Sequence, residues 1–492
     1  MSKPKENQPN IIVLMAEQQR ADTIHGLGCD WMITPNLDKL AAEGVAFTQA
    51  FCSAATCVSS RASFYTGRYP HNSGIYAFQN YNGALNWSHR LAEAGYYCTS
   101  IGKMHCGEKG GVHGFHEKIA EQGNKCSPWF KNHEGKREKS LWCKELEAAG
   151  FEPPLNLHNE MPDFYERLGA VVWSLPDEWH PDTWVAGKTV DWLERAQLEK
   201  PLFLHVGFLG PHDLFDPPRK YIDMYDDRDI PEPRQVEGEK AGMPKELFLN
   251  LDAMNNLSDK YDRSKQGSIT AVQTKYATPE RIRTMRKHYY ANCTMIDEQI
   301  GRVMKKLEEK GLLDNAIVLF TSDHGESMYD HGLIYKGHMY DTVVNIPLII
   351  RRSGEDKPGR RCPDLVSQLD AMQYLLDAAG VEAEDLDGIS LKPVMEENTG
   401  HTRKYVFCEE GKSTLRMAPD LIAMIRSAEY KLIHYAGNHT GQLFDLSADP
   451  GETRNLWGKP EAVAIQADLT AELLDWLYRN LYKHRDLFAR YR

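Results

Sequence analysis

The 492 residues predict an α/β protein, a large mainly parallel sheet sandwiched by helices and followed by a smaller C-terminal antiparallel sheet plus helix. Three observations lead there. Continuous apolar runs of strand length alternate with amphipathic helical stretches over roughly the first 350 residues, the pattern of strands buried on both faces. Each run stops abruptly at polar groups. Beyond residue 400 the chain changes to short strand-like stretches separated by turns and closes on an amphipathic helix.

Asn10-Ile-Ile-Val-Leu-Met-Ala is the first buried strand and ends in Glu17-Gln18-Gln19-Arg20. Thr34 to Gly44 reads as a helix with Pro35 near its start and Gly44 at its end. Ala55 to Gly67 then opens another helix. There Cys57 and Arg61 are one turn apart on a shared face, Thr56, Ser59 and Ser60 supply capping hydroxyls, and first-turn amides can hold an anion. Gly95 to Gly102 is a strand followed by Lys103 and His105; Pro201 to Phe208 is followed by Gly210-Pro-His212; Ala316 to Ser322 leads into Asp323-His-Gly-Glu326. Helices fall between them, at Asp182 to Glu199 with Asp182 as cap, and at Thr278 to Lys310.

Residues 110–180 and 213–280 lack a clear period and read as long insertions over the strand ends, where they would shape a pocket. Trp129, Trp142, Trp173, Trp179 and Trp184 are available there to stack on a sugar or box a quaternary ammonium, and equally to pack. Gly354 to Arg361 is a charged connector and Asp364 to Gly380 is helical. Tyr405 to Glu409, Asp420 to Arg426 and Tyr430 to Tyr435 are strand-like, and Asp468 to Tyr482 is the terminal helix. Residues 1–370 are thus expected to form a catalytic α/β domain and 371–492 a C-terminal α+β subdomain.

A formal charge of -12 argues against nucleic acid as a partner, so an anionic ligand would need a local cationic pocket. No apolar run approaches the roughly 20 residues that cross a bilayer, and the apolar stretch after the polar N-terminus is too short for a signal-peptide core. Ten cysteines without CxxC pairs fit reduced thiols. The sequence as given therefore suggests a cytoplasmic protein, or a periplasmic or secreted one if a signal has been removed.

In an open α/β sheet the strand exits share one edge, where ligands gather. That edge collects Glu17, Gln18, Lys103, His105, His212, Asp323 and His324; the helix start adds Cys57 and Arg61, and Tyr335-Lys336-Gly-His adds another cation. Hard oxygen ligands with an amide and an imidazole suit calcium, magnesium or manganese better than zinc. Arg61, Lys103 and Lys336 supply charge for an anion. Taken singly, the cysteine reads as a small buried hydrophobe, the histidines as structural and the lysines as solvated; their joint placement is what points to chemistry.

The stretch Cys57-Val-Ser-Ser-Arg61 with Thr66-Gly67 resembles the signature of the type I, formylglycine-dependent sulfatases of the alkaline phosphatase superfamily, with Ser59 where that family usually has proline. Gly102-Lys-Met-His105, Gly210-Pro-His-Asp-Leu-Phe-Asp-Pro-Pro218, Thr321-Ser-Asp-His-Gly-Glu326 and Phe444 to Leu456 resemble further signatures of it, so the resemblance spans nearly the whole chain. It implies an alkaline phosphatase-like fold and hydrolysis of a sulfate monoester. Cys57 would be converted by a formylglycine-generating enzyme, and a divalent metal, calcium before magnesium or manganese, would sit on Glu17, Gln18, Asp323, His324 and the modified Cys57. Glu17 stands where aspartate is usual. Arg61 and Lys103 would stabilise the formylglycine hydrate, Lys336 and His212 would hold the sulfate, and His105 would act as base; His212 or Lys336 would protonate the leaving alcohol.

A sulfated carbohydrate is favoured over choline sulfate or an aryl sulfate, and a homo-oligomer is left open. The alternative within the superfamily is a phosphonate monoester or phosphodiester hydrolase, against which Lys103 and His105 speak. Ser59 and Glu17 are the features of a third alternative, a catalytically silent binder of sulfated ligands.

Overall fold

The computed structural model describes residues 8–77, 87–105, 113–119, 129–131, 137–154, 161–247 except 162 and 165, 276–354, 357–383, 386–412 except 402, and 420–483 except 438. In chain order the strands of the large sheet are β1 (Asn10–Glu17), β2 (Val45–Phe51), β3 (Tyr97–Gly102) and β4 (Glu117–Ile119). A separate hairpin of β5 (Trp129–Lys131) and β6 (Arg137–Lys139) intervenes before β7 (Leu202–Pro211), β8 (Ala316–Ser322), β9 (Leu348–Arg352) and β10 (Arg360–Ser367). The eight-stranded order is β10-β2-β9-β8-β1-β7-β3-β4, and only β9 runs antiparallel to its neighbours.

β1 shows why the runs are apolar throughout. Ile11, Val13 and Met15 enter the core on one face, whereas Ile12, Leu14 and Ala16 enter the core on the other. Side chains alternate across a strand, so both faces need apolar residues when helices cover both. The first core receives the helices Cys57–Thr66 and Gln368–Ala378; the second receives Pro35–Glu43, Pro181–Arg195 and Pro279–Glu309. With parallel partners β7 and β8, β1 is the centre of the sheet, and its register with β7 slips between Met15 and Glu17, where the polar residues begin.

Two boundaries differ from the sequence reading. His180, not Asp182, caps the Pro181–Arg195 helix, its Nδ1 accepting from Asp182 N at 3.2 Å. Asp182 Oδ1 accepts instead from Leu209 N and Gly210 N at 2.6 and 3.0 Å, pinning the end of β7. Residues 364–367 are strand rather than helix, because a capping box of Ser367 and Asp370 starts the helix at Gln368. Trp142, Trp173 and Trp184 are packing residues of the second core, while the side chain of Trp129 lies outside the described residues.

The second sheet is antiparallel, β11 (Val406–Gly411), β12 (Leu421–Arg426), β13 (Tyr430–Tyr435) and β14 (Thr440–Asp445), the last not foreseen as a strand. One face, with Cys408, Ile422, Met424 and Ile433, completes the first core; the other, with Phe407, Ile425, Leu432 and Leu443, packs on the Val463–Lys483 helix. Phe407 and Trp476 stack there with centroids 4.1 Å apart. Among the described residues no helix is long and apolar enough to cross a membrane.

A buried ion cluster fastens the small sheet to the segment that follows Lys336. Lys431 Nζ on β13 donates to Met339 O at 2.9 Å, lies 2.5 Å from Glu452 Oε1 and pairs with Asp341. Removing one partner of such a cluster strands the others in a low-dielectric interior. The variant K431M is therefore expected to lose about 3 kcal/mol or more in urea unfolding; an unchanged midpoint would show that the cluster is not a fastening.

Candidate active site

The strand exits converge as the topology requires. Glu17 and Gln18 end β1, Lys103 and His105 follow β3, His212 follows β7, and Asp323 and His324 follow β8. Cys57 is the first residue of its helix and 2 % exposed. Gln18, His105 and Tyr335 all have left-handed backbone, with φ of 65°, 54° and 60°, a concentration of strain typical of sites held open by their surroundings.

Asp323 is the hub of the contacts. Its Oδ2 accepts from Arg61 Nε at 2.7 Å, and its Oδ1 accepts from Gln18 N and His324 N, each at 2.9 Å. Arg61 also donates through Nη1 to Lys103 O at 2.9 Å, which fixes the guanidinium and leaves Nη2 buried without a hydrogen-bond partner. Lys103 Nζ forms an ion pair with Glu17 Oε2 at 2.5 Å, and His212 Nε2 is 4.0 Å from Glu17 Oε1. Lys336 Nζ donates to Gln18 Oε1 at 2.5 Å. One oxygen of Glu17, the Cys57 sulfur and one ring nitrogen of His105 lie within 4.8 Å of one another.

Charge settles the protonation states. Burial would raise the Glu17 carboxyl, but Lys103, His212, Arg61 and Lys336 hold it well below the usual carboxylate range. Burial likewise opposes Asp323, which His324 and Arg61 bring down to about 2. Burial, reinforced by Lys103, pushes the His105 imidazole well below its ordinary value, so it is neutral. Burial raises the Cys57 thiol against the pull of Lys336. Lys336 is kept charged despite burial by the Cys57 sulfur, Glu17 and Asp323.

The donor set fits a hard divalent cation. His324 Nδ1 lies 2.8 Å from Gly325 O and donates to it, which leaves Nε2 with its lone pair, buried and without a hydrogen-bond partner. Burial holds that imidazole down at about 3, so the lone pair is not lost to a proton. Glu17 Oε1 is also buried without a hydrogen-bond partner. Two carboxylates, an amide oxygen and an imidazole suit calcium or magnesium rather than zinc.

All ten residues anticipated from the sequence are gathered here, but the helix start differs from expectation. Thr56 is the N-cap residue, but the hydroxyls of Thr56, Ser59 and Ser60 do not cap the helix. Thr56 Oγ1 donates to Glu410 Oε1 at 2.8 Å and Ser59 Oγ to Glu410 Oε2 at 3.1 Å, while Ser60 Oγ donates to Asp323 O at 2.5 Å. Glu410, from β11, was not foreseen, since its contacts lie some 350 positions away in sequence. Glu326 was also missed, although it closes a quoted motif three residues after Asp323.

A large mainly parallel sheet with a buried cysteine, three cations and hard metal ligands at its strand exits defines a hydrolase of alkaline phosphatase-like architecture. The chain belongs to the sulfatase family, whose model matches residues 9–381, and the model described as "N-sulphoglucosamine sulphohydrolase, C-terminal" matches residues 329–478. It is a sulfuric ester hydrolase. It is 29% identical to an arylsulfatase of Clostridium perfringens over 97% of this chain and 94% of that one. It is 27% identical to an N-acetylglucosamine-6-O-sulfatase of Bacteroides thetaiotaomicron over 98% and 88% of the two chains. Among solved structures, the phosphonate monoester hydrolase of Agrobacterium radiobacter superposes with a TM-score of 0.78 at 25% identity, covering 96% of each chain.

Two measurements check this electrostatic picture. D323N removes one carboxylate of this donor set and strands Arg61, so calcium affinity, read by thermal shift across a calcium titration, is expected to fall at least about tenfold; an unchanged affinity would show that Asp323 does not hold the cation. For pH, His205 on β7 is buried, its Nδ1 3.0 Å from Ser100 Oγ, and is pushed from 6.5 to about 3. Such a group contributes stability that is complete above pH 6.5 and is lost as pH falls toward 3. The H205Q variant, which cannot titrate, should lose less melting temperature than the wild type between about pH 6.5 and 4.5; parallel curves would show that His205 is not a source of the acid sensitivity.

Proposed function

We propose that this sulfatase cleaves sulfate monoesters of carbohydrates, with Cys57 converted to formylglycine and calcium bound by Glu17, Gln18, Asp323, His324 and residue 57. The observation that carries this is the convergence of Arg61, Lys103, Lys336, His105 and His212 on a cysteine at the mouth of a hard-metal donor set. Residues 1–370 would be the catalytic part and 371–492 the part that braces it.

The converted side chain supplies a hydrated aldehyde as nucleophile, and the cation supplies charge that offsets the sulfate oxygens. The chain's own residues do the remainder. Lys103 and Lys336 bind sulfate oxygens, and Arg61, locked by Asp323 and Lys103 O, points a spare N–H at the developing charge. His105, neutral and with Nδ1 buried and without a hydrogen-bond partner, takes the proton of the nucleophile's second hydroxyl. His212 has Nδ1 2.8 Å from Asp213 O, which orients its ring beside the sulfate, and Lys336, kept charged by its acidic neighbours, hands a proton to the leaving alcohol.

A carbohydrate substrate is supported by the N-acetylglucosamine-6-O-sulfatase relative and by the match to the model described as "N-sulphoglucosamine sulphohydrolase, C-terminal". The phosphonate hydrolase reading draws on the likeness to the Agrobacterium radiobacter structure, and the cationic Lys103 beside His105 favours a sulfate over it.

The test is mass spectrometry of the Cys57 peptide from protein co-produced with a formylglycine-generating enzyme, with sulfate release followed from glucosamine 6-sulfate, choline sulfate and an aryl sulfate. A loss of about 18 Da at Cys57 and preferential release from the sugar are expected. K103A should lower kcat by about 10²–10³-fold. An intact thiol with no turnover of any of the three esters would reject the mechanism.

A further inference from the structure

Glu326 is 2 % exposed and lies between two groups of the site without touching the reacting centre. Its Oε1 accepts from Tyr335 N at 2.6 Å and from Met328 N at 3.2 Å; its Oε2 accepts from Gln18 Nε2. On its far side the Gln18 amide accepts from Lys336 Nζ through Oε1. The amide is thus held between a carboxylate, which has no proton to give when ionised, and an ammonium, which has no lone pair. Only one of its two orientations satisfies both; turned round, it would set its NH2 against the ammonium and its oxygen against the carboxylate.

The backbone of Gln18 is fixed independently. Its N–H donates to Asp323 Oδ1 at 2.9 Å and its carbonyl accepts from Tyr289 Oη at 2.8 Å. What remains adjustable is the end of the side chain. Glu326 removes that freedom, and through Tyr335 N it also holds the left-handed residue immediately before Lys336.

We propose that Glu326 is a positioning residue that orients the Gln18 amide oxygen toward the cation and Lys336, so that one buried carboxylate aligns the metal-binding and sulfate-binding halves of the site. This rests on the roles given above to Gln18 and Lys336. A carboxamide at 326 that keeps its oxygen on Tyr335 N must turn its NH2 toward Gln18, forcing the Gln18 amide to reverse and present NH2 to Lys336. A carboxylate at 18 accepts from both sides and restores every hydrogen bond.

The experiment is the cycle of wild type, E326Q, Q18E and the double variant Q18E/E326Q, read by calcium calorimetry, by kcat/KM on an aryl sulfate and by melting temperature. Each single change is expected to weaken calcium binding and kcat/KM by about 10–100-fold. The double variant should return to within about threefold of wild type in both, a recovery that a purely structural role for either side chain would not give. A double variant as impaired as the product of the singles overturns the proposal. Should E326Q fail to fold, the comparison of Q18E with the double variant decides: recovery supports the proposal and none overturns it. A wild type that binds no calcium also overturns it, whereas intact calcium coupling without sulfate release rejects only the reaction.

Discussion

Everything at the strand exits is assembled around the carboxylate of Asp323. It receives Arg61 from the nucleophile helix, Gln18 N from the end of β1 and His324 N from its own turn, so three elements meet on two oxygens. A buried carboxylate with so many donors stays ionised far below neutral pH, and its cost of burial is offset only while those donors are in place. The position of the Cys57 helix relative to the ends of β1 and β8 is therefore set by electrostatics in a dry interior, not by loop conformation. Its neighbours extend the same logic. Arg61, Lys103 and Lys336 concentrate positive charge at one point of a chain of formal charge -12. A sulfate monoester, a monoanion, finds here cationic partners that the rest of the protein would deny it.

That arrangement was legible in the sequence to the extent that it is local. Four buried strands announce themselves by apolar runs, and the polar residues that end them fall on one edge by topology alone. β2, β9 and β10 were not anticipated because their sequences are short, mixed or charged at one end, and what makes them strands is pairing in the sheet; β9 even runs against the others. Asp182 illustrates a subtler limit. An acidic residue near a helix start reads as a cap, yet its carboxylate serves the backbone of β7, a partner that only the tertiary structure supplies.

Ser59 and Glu17, the two departures from the family pattern, have different physical meanings. Ser59 gains a role that proline could not have: its hydroxyl joins Thr56 Oγ1 and Ala55 N on Glu410, so the turn entering the helix is held by hydrogen bonds instead of by a rigid ring. Glu17 reaches one methylene further than aspartate and meets Lys103 at 2.5 Å while Oε1 stays without a hydrogen-bond partner. The extra length brings the carboxylate onto Lys103, pairing the end of β1 with the end of β3 more closely than a shorter side chain would.

The C-terminal sheet then has a role beyond completing the core. Glu410 on β11 holds the residues just before and after Cys57, and Lys431 on β13, with Glu452, holds Met339 O and Asp341 just beyond Lys336. Both anchors are buried and ionic or charge-assisted, which makes them directional where apolar packing is not. Cys57 and Lys336 are thus braced from one and the same small sheet. The Cys57 helix and the turn of Lys336 are tied to the strand exits of the large sheet as well, through Arg61 on Asp323 and Lys336 on Gln18, so both are fixed from two directions.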